Sequence, residues 1–302
     1  MKPKHRFLLT EMFGLKVTHC IPEKKLFSIT LLLFPGLWCD NRVWREFQGF
    51  VADLGFETIA VSSIDGTCTG LNIIGLENRV MLFVKSFKEE CILVCHSATA
   101  LVSMDFLGKG ACPNVKGFVS VTAATPFGML LGWEANKRLP AYLVDMFAGR
   151  DFGLSRPHAY DMMFTGMSKV TCAGLFPRLI TAPGKVARDI ALGKIKAPRH
   201  PLAIPVLCIS TENDVVVPTD RQEKIAHLLG GRHVCIKGEP HMVTMSSSGS
   251  QKLAKEITNW LRTKFTLQYA VGYRTILRKK SSTFRPKPGD GLQMRLGGII
   301  QN

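Results

Sequence analysis

The sequence predicts an α/β protein built on a mostly parallel, doubly wound sheet, with a helical insertion after the sixth strand. Three observations predict it. Short apolar runs that read as strands buried on both faces alternate with stretches whose apolar residues recur at helical spacing. The rhythm stops near Thr125, gives way to helix-like segments alone, and resumes near Ile204. The composition, 46% hydrophobic and 21% charged over 302 residues, suits a chain that buries one large core.

The elements follow in order. Phe7 to Val17 reads as one or two short antiparallel strands. Leu26–Phe34 is a continuous apolar run ended by Pro35-Gly36, as expected of a buried parallel strand. Asn41 then precedes a helix over Arg42–Leu54, whose Val43, Phe47, Phe50, Val51 and Leu54 fall on one face. Strand Glu57–Val61, helix Leu71–Phe87, strand Ile92–Cys95, helix Ala98–Leu107 and strand Val115–Val121 complete the first half. Between Pro126 and Pro198 only helices are predicted, over Leu130–Phe147, Pro157–Met167 and Lys185–Leu192. Strand Ile204–Ser210, helix Asp220–Leu229, strand Arg232–Ile236 and helix Ser250–Phe265 close the pattern. Alternation of this kind makes parallel strands with helices on both faces. Residues 1–125 and 199–265 are therefore expected to form the core. Residues 126–198 are expected to be a cap over the strand ends, where open α/β sheets bind ligands. Residues 266–302 are expected to be a basic, flexible tail.

Charge and cysteine usage narrow the class. The net charge is +16, and from Lys264 onward eight Lys and Arg face the single acid Asp290. A solvated tail is the plain reading of such a run; an anionic membrane surface is the partner it would favour. No specific nucleic-acid binding is expected. Nine scattered cysteines, an odd number without a CxxC pair, fit a reducing compartment better than a disulfide framework. The start is a poor signal peptide, because Thr10 and Glu11 break the apolar stretch after Met1–Arg6. Ser28, Thr30, Pro35 and Gly36 interrupt the longest apolar run, Leu26 to Trp38. A soluble, cytoplasmic protein is expected.

Three residues carry candidate chemistry, each just after a predicted strand. Ser97, in Cys95-His96-Ser97-Ala98-Thr99, lies between a strand and a helix. A turn there pushes the hydroxyl clear of the backbone and points helix N–H groups at developing negative charge. The usual pattern is G-x-S-x-G; here Cys95 and Thr99 replace the glycines, and β-branched Thr is the more awkward of the two. Asp214, in Asn213-Asp214-Val215-Val216-Val217-Pro218, is placed to orient an imidazole, with Glu212 as its nearest competitor. His241, in Gly238-Glu239-Pro240-His241-Met242, is placed to act as a general base. Singly, these are a helix N-cap, an Asx-turn and an exposed loop histidine. Together, the order Ser…Asp…His at the ends of three different strands is informative.

At this point residues 25 to 265 resemble the α/β-hydrolase superfamily. Leu31–Asp40 (LLLFPGLWCD) looks like its oxyanion loop, with Pro35 where the family usually has His. Asn213–Pro218 looks like its acid loop and Glu239-Pro240-His241 like its histidine loop. Trp44 and Asp65-Gly66 extend the match. The resemblance implies a Ser97–His241–Asp214 triad, with backbone N–H groups of Leu37 and Ala98 forming the oxyanion hole. A serine nucleophile argues against epoxide opening and dehalogenation and for acyl transfer to water. His96 is expected to be structural. The insertion is rich in Met and aromatics, which suits an apolar ester as substrate. A thioesterase or acyltransferase on the same triad remains open, as does a non-catalytic binding protein on this fold. No phosphate loop, nicotinamide or flavin fingerprint or metal-ligand spacing appears, so no cofactor and no metal are expected.

Overall fold

The computed structural model describes residues 5–65, 68 and 70–281, with side chains described to residue 265. The chain divides into two units, residues 1–260 and 261–302.

In the first unit, β1 (His5–Met12) and β2 (Leu15–Pro22) form an antiparallel hairpin. Its turn residues Phe13 and Gly14 both have positive φ, the requirement of a two-residue hairpin turn that matches strand twist. A Phe at the first of these positions explains why the sequence signals the hairpin weakly. β3 (Thr30–Phe34), β4 (Glu57–Val61), β5 (Cys91–His96), β6 (Val115–Val121), β7 (Val206–Thr211) and β8 (Arg232–Ile236) follow. The sheet order is β1-β2-β4-β3-β5-β6-β7-β8. β2 meets β4 antiparallel, and every later pairing is parallel.

Helices cover the sheet. α1 (Arg45–Asp53) follows a 3-10 turn at Asn41–Trp44, which Asp40 caps through the Arg42 N–H, and Trp44 is fully buried. α2 (Ile73–Ser86) is capped by Asn72, whose side chain accepts the Gly75 N–H. α3 (Ala98–Gly108) is apolar nearly all round and is buried along most of its length, as a helix central to an α/β layer must be. The β3 run Leu31, Leu32, Leu33 and Phe34 is buried on both faces. The strand starts four residues later than the apolar run, since Leu26 leaves the sheet to cover the Gly55 turn and Phe27 stacks on Phe56.

Between β6 and β7 lie only short helices: α4 (Trp133–Asn136), α5 (Leu143–Ala148), α6 (Arg156–Met162), α7 (Lys169–Leu175) and α8 (Gly184–Ala191). The single helix expected over Leu130–Phe147 is broken into three pieces. Pro140 opens a 3-10 turn inside it, because proline has no N–H to continue an α-helix. The helix expected over Pro157–Met167 ends at Met162. α7 is unanticipated, although Ser168 caps it through the Thr171 N–H and was its readable signal. The insertion is fastened to the core: buried Asp189 on α8 accepts the Ile73 N–H at the start of α2 and pairs with Lys194.

α9 (Thr219–Leu229) and α10 (Ser247–Ser281) complete the elements. The helix expected to end at Phe265 therefore runs to Ser281. Residues 282–302 of the expected tail, and Gly66, lie outside the described residues. All nine cysteines are unpaired and eight are buried. No helix among the described residues is long and apolar enough to cross a membrane.

Candidate active site

Parallel strands aim their C-terminal ends to one side of the sheet, so loops after β3, β5, β7 and β8 converge there. Ser97 sits between β5 and α3 with φ 54° and ψ −117°, a conformation L-residues rarely hold. Three backbone bonds impose it. The Ser97 N–H donates to Val121 O (3.0 Å), while its carbonyl accepts from Ala124 N (3.1 Å) and Leu101 N (3.2 Å). The loop after β3 presses against this turn. A Cβ on Gly36 would lie 2.7 Å from Ser97 Cβ and 2.8 Å from His96 Nδ1, so only glycine fits.

The two departures from the glycine pattern are both accommodated. Cys95 is buried with its Sγ 3.3 Å from Ser103 Oγ, and burial pushes its thiol up to about 12, which makes it a packing residue rather than a nucleophile. The Thr99 hydroxyl reaches the carbonyls of Phe34 (3.0 Å) and His96 (2.9 Å). The β-branched residue that was awkward in sequence thus ties the turn to the end of β3. Thr99→Val keeps the shape and removes this bond, leaving two buried carbonyls less well satisfied. A loss of about 1–3 kcal/mol of stability is expected in urea unfolding. An unchanged midpoint would show that the hydroxyl contributes nothing to the turn.

Asp214 follows β7. Its Oδ1 accepts the N–H groups of Val216 (2.8 Å) and Val217 (2.9 Å), and its Oδ2 lies 2.8 Å from His241 Nδ1. A carboxylate only accepts, so Nδ1 carries the proton and Nε2 presents a lone pair. Nε2 is 3.2 Å from Ser97 Oγ. Ser97, His241 and Asp214 are therefore brought into one hydrogen-bonded line, although Ser97 and His241 are 144 residues apart in the chain and Asp214 and His241 are 27 apart. The Asp214 and His241 side chains are almost wholly buried, whereas Ser97 is partly exposed.

Glu212 is turned away from this line. It pairs with Lys237 (2.9 Å) and accepts the Gly238 N–H (2.9 Å); Lys237, followed by that N–H, holds its carboxyl below the usual carboxylate range. The histidine loop is anchored from below. The buried Glu239 carboxylate takes Ser248 Oγ (2.9 Å) and Lys252 Nζ (2.7 Å), and its carbonyl accepts the Asn213 N–H. Sequence reading missed Glu239 as an anchor, although a carboxylate beside the loop histidine was visible.

Leu37 follows Gly36, whose backbone packs against Ser97, and Ala98 opens α3 directly after Ser97. Trp38 follows Leu37 with φ 61°. The insertion holds it in place: Ile180 N–H donates to the Trp38 carbonyl (2.9 Å), and the indole meets Phe152, which stacks on Tyr142. Of the insertion's methionines, Met146, Met162 and Met163 are core residues, whereas Leu130 and Trp133 are about three-quarters exposed. Among the described residues, no three His, Cys, Asp or Glu come together as a metal-binding group.

His96 is fully buried, and burial first, then the neighbouring His241, push its pKa down to about 3. The folded form keeps it neutral while the unfolded chain protonates near 6.5. The unfolded state therefore binds more protons between those values, and stability rises with pH across that window. Acidification from pH 6.5 toward 3 is expected to cost up to ~1.4 kcal/mol per pH unit through this residue. The slope of the urea midpoint against pH should flatten in His96→Gln. An equal slope in both proteins would contradict the assignment.

A hydroxyl on a strained turn, an imidazole able to take its proton and a carboxylate that orients the imidazole form the arrangement that activates an oxygen nucleophile. Comparison with models of protein families finds no match, and comparison with curated proteins finds none either. Solved structures do match. A lipase-esterase related protein from Clostridium acetobutylicum is 18% identical with a TM-score of 0.62, covering 81% of this chain and 98% of its own. A putative lipase from Acinetobacter baumannii is 16% identical with a TM-score of 0.64, covering 89% and 93%. A soluble variant of monoglyceride lipase from Saccharomyces cerevisiae is 13% identical with a TM-score of 0.64, covering 86% and 95%. At such identities the likeness establishes the architecture: the chain has the α/β-hydrolase fold.

Proposed function

We propose that this chain is a serine hydrolase that cleaves a carboxylic ester with an apolar acyl or alcohol group through an acyl-enzyme. One observation carries the reading: the continuous hydrogen-bonded line from Ser97 Oγ through His241 to Asp214, at a strained strand-to-helix turn. In this reading Ser97 Oγ attacks the ester carbonyl carbon as its proton passes to His241 Nε2. Asp214 steadies the imidazolium through Nδ1–H. The carbonyl oxygen takes up the negative charge, and the Leu37 and Ala98 N–H groups stabilise it. Collapse of the tetrahedral intermediate expels the alcohol, which takes the proton back from His241. Water then attacks the acyl-Ser97 ester by the same route, releasing the acid and restoring the hydroxyl.

The lipase and esterase neighbours support ester hydrolysis as the chemistry, and the Met- and aromatic-rich insertion supports an apolar substrate. The insertion acts as a cap over the site in this reading, consistent with its bonds to the Trp38 and Met242 backbones. The test is a fluorophosphonate probe followed by p-nitrophenyl esters of increasing acyl length. The wild-type protein is expected to take up one phosphonyl group and to hydrolyse the esters, and the preferred chain length reads the depth of the acyl pocket. Folded protein that takes no label and turns over no ester would instead favour a binding role on this fold. A strong preference for thioesters or for an alcohol acceptor over water would redirect the reading to thioesterase or acyltransferase on the same residues.

A further inference from the structure

His96 has no part in the proton-transfer line, yet it meets three of the four loops that build the site, those after β3, β5 and β8. It is the residue before Ser97 in the turn. Its Nδ1 edge packs on Gly36 so closely that a Cβ there would lie 2.8 Å away. Its Nε2 lies 3.1 Å from the carbonyl oxygen of His241. A carbonyl cannot donate, so Nε2 carries the proton and the ring is the neutral Nε2–H tautomer. Nδ1 is then a buried acceptor with no donor among the described residues. Loss of that acceptor's hydration is a cost, and packing against Gly36 leaves no room for water to relieve it.

The same His241 carbonyl meets a second donor, the Thr122 hydroxyl at 3.4 Å. Thr122 directly follows β6 with φ 42°, and its own N–H is held by Ile209 O at 2.8 Å. On the other side of the same peptide unit, the Met242 N–H donates to Met163 O at 3.1 Å. The peptide that follows His241 is thus gripped at its oxygen by the core and at its nitrogen by the insertion. An imidazole has only two side-chain torsions, so fixing the peptide beside its Cα largely decides where Nε2 points.

We infer that His96 and Thr122 are positioning residues that hold the His241 imidazole between Asp214 and Ser97 by gripping the His241 main-chain carbonyl. The kinetic part of this inference rests on the serine-hydrolase reading; the geometric part does not. Misplacement of a general base by an ångström or so costs about 10²-fold in rate. Two contrasts separate the hydrogen bond from simple filling of space. His96→Gln keeps an N–H donor near the position of Nε2, and His96→Leu removes it. Thr122→Val keeps the shape and loses the hydroxyl, and Thr122→Ser keeps the hydroxyl.

The experiment measures two quantities on the full chain: the rate of Ser97 phosphonylation by a fluorophosphonate, and the proton resonance of His241 Nδ1–H, which reports its bond to Asp214 without need of activity. In His96→Leu the phosphonylation rate is expected to fall about 10²-fold, with kcat falling and KM unchanged, and the His241 resonance to broaden or vanish. His96→Gln is expected to retain most of both. Wild-type rates and an unchanged resonance in His96→Leu would overturn the inference, and so would equal losses in the Leu and Gln variants. If His96→Leu fails to fold, Thr122→Val against Thr122→Ser gives the same contrast with a smaller effect, and equal behaviour of that pair overturns the role of Thr122. If the wild-type protein does not react with the probe, the hydrolase reading fails, and the His241 resonance alone decides the positioning role.

Discussion

Replacing Ser97 by Ala is expected to abolish phosphonate labelling and to lower ester turnover by a factor on the order of 10⁶, the scale set by removal of the nucleophile from a serine hydrolase. The structure makes this a clean experiment. The only hydrogen bond of Ser97 Oγ to a described residue is the one to His241 Nε2, so nothing else loses a partner. The turn itself is imposed by backbone bonds to Val121, Ala124 and Leu101, which alanine keeps. Alanine meets the same positive φ as serine, so the strain does not change. The unfolding midpoint should therefore stay near that of the wild type while the chemistry disappears. Residual hydrolysis above background would come from the Leu37 and Ala98 N–H groups acting on a water nucleophile. Turnover within tenfold of the wild type would place the nucleophile elsewhere.

The second large effect belongs to Asp214→Asn, for which kcat is expected to fall by about 10⁴. The reason lies in how the carboxylate is divided. Oδ1 already accepts the Val216 and Val217 N–H groups, and Oδ2 accepts from His241. An Asn amide has one oxygen, and the two backbone donors will claim it. The amide NH₂ must then face His241 Nδ1. A donor there stabilises the tautomer with the proton on Nε2, which cannot accept the Ser97 proton. Geometry is kept and the protonation pattern is inverted. The loss should appear in kcat with little change in stability. Glu212→Gln is the control: Glu212 is exposed and occupied with Lys237 and Gly238, so this variant should behave as a surface change. A loss in Glu212→Gln comparable to that in Asp214→Asn would reassign the acid.

Much of this architecture was legible before any coordinates. The β6 strand Val115–Val121 and the β8 strand Arg232–Ile236 carry the predicted bounds, because apolar or β-branched runs closed by turn residues have few other outcomes. The order and strand-end placement of Ser97, Asp214 and His241 followed from the same alternation, since a parallel sheet brings successive strand ends to one side. The insertion was less legible. A 3-10 turn opens at Pro140 and Ser168 caps α7, and such local interruptions are outvoted when apolar periodicity is summed over a long window.

Three features needed the tertiary structure, all for one reason: they depend on groups far apart in the chain that only folding brings within 4 Å. The turn at Ser97 tolerates Thr99 because a carbonyl from residue 34 meets the hydroxyl. Asp214 is the expected acid with Glu212, two residues away, as its competitor, and the positions of Lys237 and His241 show which carboxylate meets the imidazole. His96 is a neighbour of Ser97 in sequence, but its partner is the carbonyl of residue 241. The sequence by itself determined which residue types stand at the ends of the parallel strands, and hence the class of chemistry they suit. The tertiary structure alone decided which oxygen faces which nitrogen, because hydrogen bonds are short and directional while apolar patterning specifies only which side of an element is buried.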